Sequence, residues 1–226
     1  MKIVVLISAN AEWHSVKPLF YGAEIQSSPM GEWLAAAGNS SPIVFFHGGW
    51  GKISAAATTQ YVIDHFHPDL IINLGTCGGF DGRIETGTVI LVEKTIVYDI
   101  FEQMADADDA VDHYSTDIDL SWLAEPVPHV VRRGLLVSAD RDILVGDIPM
   151  LVSRFGAVAA DWESGAIAWV ANKNHIRCLI LRGVSDLVGT GGGEAYGNLD
   201  LFQQRTDKIM ELLIHQLESW IQASGG

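Results

Sequence analysis

The chain has 226 residues, 48% of them hydrophobic, and its 28 acidic against 14 basic residues give a formal net charge of -14. A surface that acidic repels phosphate backbones, which excludes DNA or RNA as an expected partner, and no Lys/Arg cluster or basic amphipathic helix offers itself to an anionic membrane. No stretch approaches the roughly 20 apolar residues of a membrane span, the apolar run before Ser8 and Asn10 is too short for a secretory signal, and Cys77 and Cys178 make no metal or redox spacing; a cytoplasmic location is expected.

Taken in chain order, apolar and β-branched runs of strand length each end in a turn signal: KIVVLIS (2–8), PIVFFHGG (42–49), LIINLG (70–75), TVILVEKTIVYD (88–99), GLLVSAD (134–140) and CLILRGV (178–184). Runs that are apolar on both faces suit buried strands of a largely parallel sheet. Helical patterns alternate with them. KISAAATTQYVIDHF (52–66) is Ala-rich and closes before Pro68, IPMLVSRF (148–155) is shorter, and SGAIAWVANKN (164–174) follows an acidic motif. The last, 199–222, repeats Leu201, Ile209, Leu212, Leu213 and Leu217 at helical spacing. The acidic stretch 104–113 reads as a solvated loop, and 189–198 as too Gly-rich for regular structure and mobile. The alternation predicts one α/β domain over 1–226.

In parallel α/β sheets, ligands bind beyond the carboxyl ends of the strands. There the chain places Asn10 and Glu12, the glycines around Trp50, Thr76 with Cys77 and Gly78, Asp140 with Asp142, Asp161 with Glu163, and Ser185 with Asp186. At least three carboxylates are therefore expected in one crevice. Its chemistry narrows by exclusion. GGWGK is no P-loop, because Phe46 stands where the first glycine belongs and Ile53 follows Lys52. Neither a dinucleotide fingerprint, an H-E-x-x-H helix nor a G-x-S-x-G elbow occurs. No metal and no cofactor is expected. A crevice of acids, small residues and aromatics suits a neutral, hydroxyl-bearing ligand with a flat ring. One carboxylate accepts hydrogen bonds from a diol, a second protonates a leaving group and a third activates water, the parts needed to break a glycosidic bond. Glu163, at the start of a helix, is expected to stay ionised through the helix dipole. No Lys or Arg stands within AADWESGAIAW, so its acids are expected to be free for sugar hydroxyls.

With these motifs in order, the chain resembles the nucleoside phosphorylase and nucleosidase superfamily, and within it the methylthioadenosine/adenosylhomocysteine nucleosidases. The resemblance implies a single-domain phosphorylase/hydrolase-like α/β fold with a central, mostly parallel mixed sheet flanked by helices. It places the water-activating glutamate at Glu12, Thr76 and Gly78 near the ribose and nucleophile, and the backbone that addresses the purine at Ile143. DWES is similar to the family's E-M-E motif, which puts Glu163 on the ribose hydroxyls and Trp162 beside the sugar. LRGVSD is similar to R-x-x-S-D, with Ser185 preceding Asp186, the residue that protonates N7. Arg182 reads as structural, orienting Asp186. The implied partner is a small-molecule nucleoside, and the implied assembly is a homodimer.

The departures are specific. Phosphorylases of the superfamily use an arginine where this chain has Asn73, which favours water as nucleophile. The nucleosidases carry an aromatic where Asp142 stands and a Met at Ala9, and the aromatic lent by a partner subunit falls on Ala105, with Phe101 nearby. Asp142 can accept a hydrogen bond from a purine N–H, which leaves open a base other than adenine. Two other readings stay open: a phosphate-dependent purine nucleoside phosphorylase, and a non-catalytic nucleoside-binding protein on the same fold.

Overall fold

The computed structural model describes residues 1–38, 42–104 and 106–225. Its strands are β1 (Ile3–Ile7), β2 (Gln26–Ser28), β3 (Gly31–Ala36), β4 (Ile43–His47), β5 (Leu70–Phe80) and β6 (Val89–Val97), followed by β7 (Ser115–Asp117), β8 (Arg132–Ser138), β9 (Ala159–Asp161), β10 (Arg177–Gly189) and β11 (Gly192–Gly193). The helices are α1 (Asn10–Val16), α2 (Lys52–Phe66), α3 (Ala107–His113), α4 (Ile148–Phe155), α5 (Ser164–Lys173) and α6 (Leu199–Ala223).

All the strands belong to one mixed sheet. Its long ladders are parallel: β1 lies between β4 and β5, β10 follows β5, and β8 follows β6. The antiparallel pairs are shorter. β10 pairs with both β5 and β6, and β9 with both β5 and β8, so five strands close a ring. A closed ring has no free edge inside it, and its end makes a rigid rim for side chains.

The period-2 alternation of the strands divides the core. Ile3, Val5 and Ile7 of β1 and Leu70, Ile72 and Leu74 of β5 face one side, where Trp13 of α1 and Ile209, Leu213, Leu217 and Trp220 of α6 cover them. Val4, Leu6 and Ile71 face the other side, against Val62 and Ile63 of α2 and Ile167, Ala168 and Ala171 of α5. Central strands buried on both faces explain why these runs are apolar throughout rather than alternating. α6 keeps Leu212 39% exposed, so the buried stripe is narrower than the sequence period suggests.

Two expected strand ends move. β5 runs on through Phe80 and β10 through Gly189, so Thr76, Cys77 and Gly78, like Ser185 and Asp186, are strand residues and not turns. Each strand still has partners there: Val188 pairs with Phe80, and Gly78 pairs with Ala160 of β9. The acidic stretch is also partly helical. Asp106 caps α3 by accepting from the Asp108 amide at 2.9 Å, acids occupy the first turn where the helix dipole favours them, and Val111 is buried. Within 189–198, Gly192 and Gly193 pair back onto Gly189 and Val188, making a short hairpin where irregular chain was expected.

Candidate active site

A cavity of about 570 Å³ opens at one end of the sheet, a size suited to a small-molecule ligand. Its walls come from the residues beyond β1, β4, β8 and β9 and from the second halves of β5 and β10. Of the residues expected there from the sequence, Glu12, Thr76, Gly78, Asp142, Ile143, Trp162, Glu163, Ser185 and Asp186 line it. Asp140 does not. It accepts from the Lys52 amide at 2.7 Å and, with Asp99, holds the Lys52 ammonium, so it closes the N-terminus of α2 instead of facing ligand.

Glu12 sits in the first turn of α1 and is buried. Its Oε1 accepts from the Thr76 amide at 2.6 Å and the Thr76 hydroxyl at 2.9 Å, and its Oε2 accepts from the Ala9 amide at 3.1 Å. It therefore closes the helix and faces the cavity at once. Three donors fix the carboxylate in one orientation.

Asp186 owes its direction to a bulge. Val184 pairs with Cys77 and Asp186 with Gly78, leaving Ser185 as the extra residue. An extra residue re-aims the side chains beyond it, and both Ser185 and Asp186 line the cavity. Burial pushes the Asp186 carboxyl above its ordinary value, opposed by the hydrogen bond from the Ser185 hydroxyl (2.7 Å) and by Arg205. The acid is held toward its protonated, proton-donating form.

Behind these acids lies Arg182, fully buried. Its Nε is 3.1 Å from Asp161, its Nη1 3.7 Å from Glu12 and its Nη2 3.9 Å from Glu163. The hydrogen bonds themselves go to neutral partners: Nε donates to the Ser164 hydroxyl at 2.9 Å and Nη2 to the Asn73 side-chain oxygen at 2.7 Å. Burial acts to lower the Arg182 pKa, but Asp161, Glu12 and Glu163 together raise it. This corrects two expectations. The acids of DWES do have a cation, supplied from β10, and Arg182 orients Glu12, Asp161 and Glu163 instead of Asp186. Asp161 is spent in the structure: it accepts from the Ser138 hydroxyl at 2.6 Å and the Ser164 amide at 3.1 Å, a capping role. Gly75 lets β5 pass this centre, since a Cβ there would stand 2.0 Å from Arg182 Nη1.

Glu163 departs from expectation in its charge. It occupies the N-cap of α5, but its side chain makes no capping bond; Oε1 instead accepts from the Gly51 amide at 2.9 Å. Turned away from the helix axis, it gains little from the dipole. Burial pushes its carboxyl up to about 8, with Arg182 opposing and Asp161 and Glu12 adding to the rise. One guanidinium shared among three carboxylates does not offset burial at the most distant of them, so that carboxyl is held toward its protonated form.

The floor and the wall beside it are built from small and backbone groups. A Cβ on Gly78 would lie 2.7 Å from Ile143 Cδ1, so glycine there keeps the floor flat. The Ile143 carbonyl accepts from the Tyr196 hydroxyl at 3.0 Å. Asp142 is exposed at the mouth. Cys77 is buried, which raises its thiol pKa and leaves it a filler, not a nucleophile.

A family model described as the phosphorylase superfamily matches residues 3–217. The chain belongs to the phosphorylase superfamily. Among superfamily members it is 24% identical, over 96% of its length and 99% of the relative's, to the 5'-methylthioadenosine/S-adenosylhomocysteine nucleosidase of Buchnera aphidicola subsp. Acyrthosiphon pisum. It is 28% identical to the nucleosidase of that name from Thermotoga maritima, over 65% of this chain and 67% of that one. The fold is shared with the Helicobacter pylori 5'-methylthioadenosine/S-adenosylhomocysteine nucleosidase bound to butyl-thio-DADMe-Immucillin-A, at a TM-score of 0.79, 18% identity, and 96% and 98% coverage of the two chains. It is also shared with the Streptococcus pneumoniae MTA/SAH nucleosidase in complex with 8-aminoadenine, at a TM-score of 0.78, 19% identity, and 99% and 100% coverage.

Within this superfamily fold, sequence reasoning missed three contributors. Trp50 lines the cavity and packs on Trp162, ring centroids 5.3 Å apart. The Gly51 amide binds Glu163 across 112 residues, and Tyr196 reaches Ile143 across 53. Only Trp50 carried a local signal, a large aromatic among glycines at a strand end. Ala105, the position expected to face a partner's ligand, lies outside the described residues.

Proposed function

We propose that the chain is a nucleosidase that hydrolyses the N-glycosidic bond of a purine nucleoside, adenine-type and 5'-thio-substituted, to free base and a ribose derivative. The observation that carries this is the pairing of two unlike carboxyls in one cavity: Asp186, held toward its protonated form by burial, and Glu12, fixed by three donors. Environments that separate a proton donor from an acceptor assign acid and base roles. Asp186 gives its proton to N7 of the purine as the bond from C1' to N9 breaks, and the bonding electrons leave with the base. Glu163 releases its proton to solvent as it accepts hydrogen bonds from the ribose hydroxyls, and the resulting carboxylate balances the charge that develops at C1'. Glu12 takes a proton from water, whose oxygen bonds to C1'.

Water is favoured over phosphate by the lining. Asn73 is committed to Arg182 and to the Leu6 carbonyl (3.1 Å), and among the described residues lining the cavity the one permanent cation, Arg141, is paired with Asp147 at 2.6 Å. Surrounding carboxyls repel a phosphate dianion. The names of the relatives support the adenine and 5'-thio assignment. A homodimer, formed in the cytoplasm, completes the proposal. The Lys52–Asp99 ion pair joins the segment bearing Trp50 and Ile53 to the one bearing Phe101 and Met104, and all four side chains are largely exposed apolar surface.

The test is release of base from 5'-methylthioadenosine, adenosine and inosine, each with and without phosphate. Base without phosphate is expected, with Asp186→Asn lowering turnover roughly a hundredfold or more. Ribose 1-phosphate as product would establish a phosphorylase, and tight binding without turnover a binding protein.

A further inference from the structure

The bulge that aims Asp186 is braced from outside the cavity. Arg205 of α6 donates through Nη1 to the Ser185 carbonyl at 3.0 Å and to Glu194 Oε2 at 2.6 Å. The same Glu194 oxygen accepts from the Leu187 amide at 3.2 Å, and the Glu194 amide donates to the Leu187 carbonyl at 3.0 Å. Thus Ser185 C=O and Leu187 N–H, the peptide groups on either side of Asp186, are each held by one member of an ion pair. A bulge disturbs the ladder that would otherwise engage such groups, and here two charged side chains take its place. The pair is about a third exposed, with Arg205 27% and Glu194 43% accessible. The sheet alone does not require it.

We propose that the Arg205–Glu194 pair is a positioning and tuning device for Asp186, holding the bulge in register and setting the proton affinity of the acid by opposed charges. The proposal rests on Asp186 being the acid of the proposed reaction. The two charges act in opposite senses on Asp186, Arg205 lowering its pKa and Glu194 raising it, so that joined as a pair each offsets the other. Separated by mutation, they do not.

Other charged groups face the same cavity: Glu12 from α1, Asp161 and Glu163 between β9 and α5, and Arg141 and Asp142 beyond β8. The weakly acidic groups are Cys77 on β5 and Tyr196 beyond β11. All of them remain in place when Arg205 or Glu194 is changed, so a change of direction between the two variants reads the pair and not the cavity.

The experiment is carboxyl ¹³C NMR titration of aspartate-labelled protein, with the Asp186 signal identified by its loss in Asp186→Asn. Its readout is independent of turnover. Arg205→Gln is expected to move the Asp186 midpoint up, because Glu194 is left unbalanced. Glu194→Gln is expected to move it down, the double variant to return near the parent, and Arg205→Lys to keep the parent midpoint. In base release from 5'-methylthioadenosine, the alkaline limb of kcat/KM should follow the same order. Midpoints that stay fixed, or move the same way in both single variants, overturn the proposal and leave the pair a brace for the fold. Opposed midpoints in a protein that releases no base would sustain the tuning and refute the nucleosidase reading instead.

Discussion

Replacing Glu163 by Gln isolates the most unusual charge in the molecule. The carboxyl is buried and pushed up to about 8 from an ordinary value of 4.5. Between those values the folded chain keeps a proton that the unfolded chain has released, so the folded state binds more protons and stability falls as pH rises. The slope for one proton is about 1.4 kcal/mol per pH unit, so raising the pH from about 5.5 to about 7.5 costs about 3 kcal/mol through this group alone. A small domain has only about 5–15 kcal/mol in total. The amide of the Glu163→Gln variant keeps an oxygen for the Gly51 N–H but cannot ionise. Urea unfolding of parent and Glu163→Gln across that interval should show the variant gaining on the parent by about 3 kcal/mol. The other titrating groups are common to both proteins and drop out of the difference. Parallel stability curves would refute the reasoning, showing that Glu163 is ionised in the folded protein and that Arg182, at 3.9 Å, neutralises it despite Asp161 and Glu12.

Further outcomes follow from the same geometry. Ribose hydroxyls that donate to Glu163 favour its anion, so binding of an unreactive 5'-thioadenosine analogue near pH 7 should release a proton, read as a buffer-dependent enthalpy in calorimetry. Tyr196→Phe frees the Ile143 carbonyl that the hydroxyl occupies at 3.0 Å; KM for an adenine nucleoside should fall by about fivefold, the worth of one neutral hydrogen bond, whereas a rise would mean the phenol itself holds substrate. Gly78→Ala places a methyl 2.7 Å from Ile143 Cδ1, the flexible end of a side chain that can turn aside; it should lower stability by less than about 1 kcal/mol and raise KM by narrowing the floor. A Gly78→Ala enzyme with unchanged KM would remove Gly78 from the site.

The site residues were legible because the chemistry concentrates at strand ends, but their environment was not. Glu12, Glu163 and Asp186 stand out in sequence as acids amid apolar residues. That burial pushes the Glu163 carboxyl up against the pull of Arg182, and that Asp161 is a structural acid, depends on the cluster around Arg182, whose partners lie between 18 and 170 residues away. No window of sequence contains that cluster.

The same division runs through the fold. α2 and α4 are found at their expected bounds because local chemistry decides them: an Ala-rich run stopped before Pro68, and an apolar octet ended by Gly156 in a left-handed conformation. β1, β4 and β6 follow from apolar runs that only a two-sided burial explains. The sequence by itself thus determined the α/β class, the principal strands and helices, and the acids that face the cavity, since these depend on propensity, periodicity and polarity over a few residues. Only the tertiary structure decided how far β5 and β10 extend, the bulge that turns Asp186 inward, the closure of the ring and the charge on Glu163. Those depend on which distant backbone supplies a hydrogen bond and which distant charge shares a buried space, and both are set only when the sheet has closed.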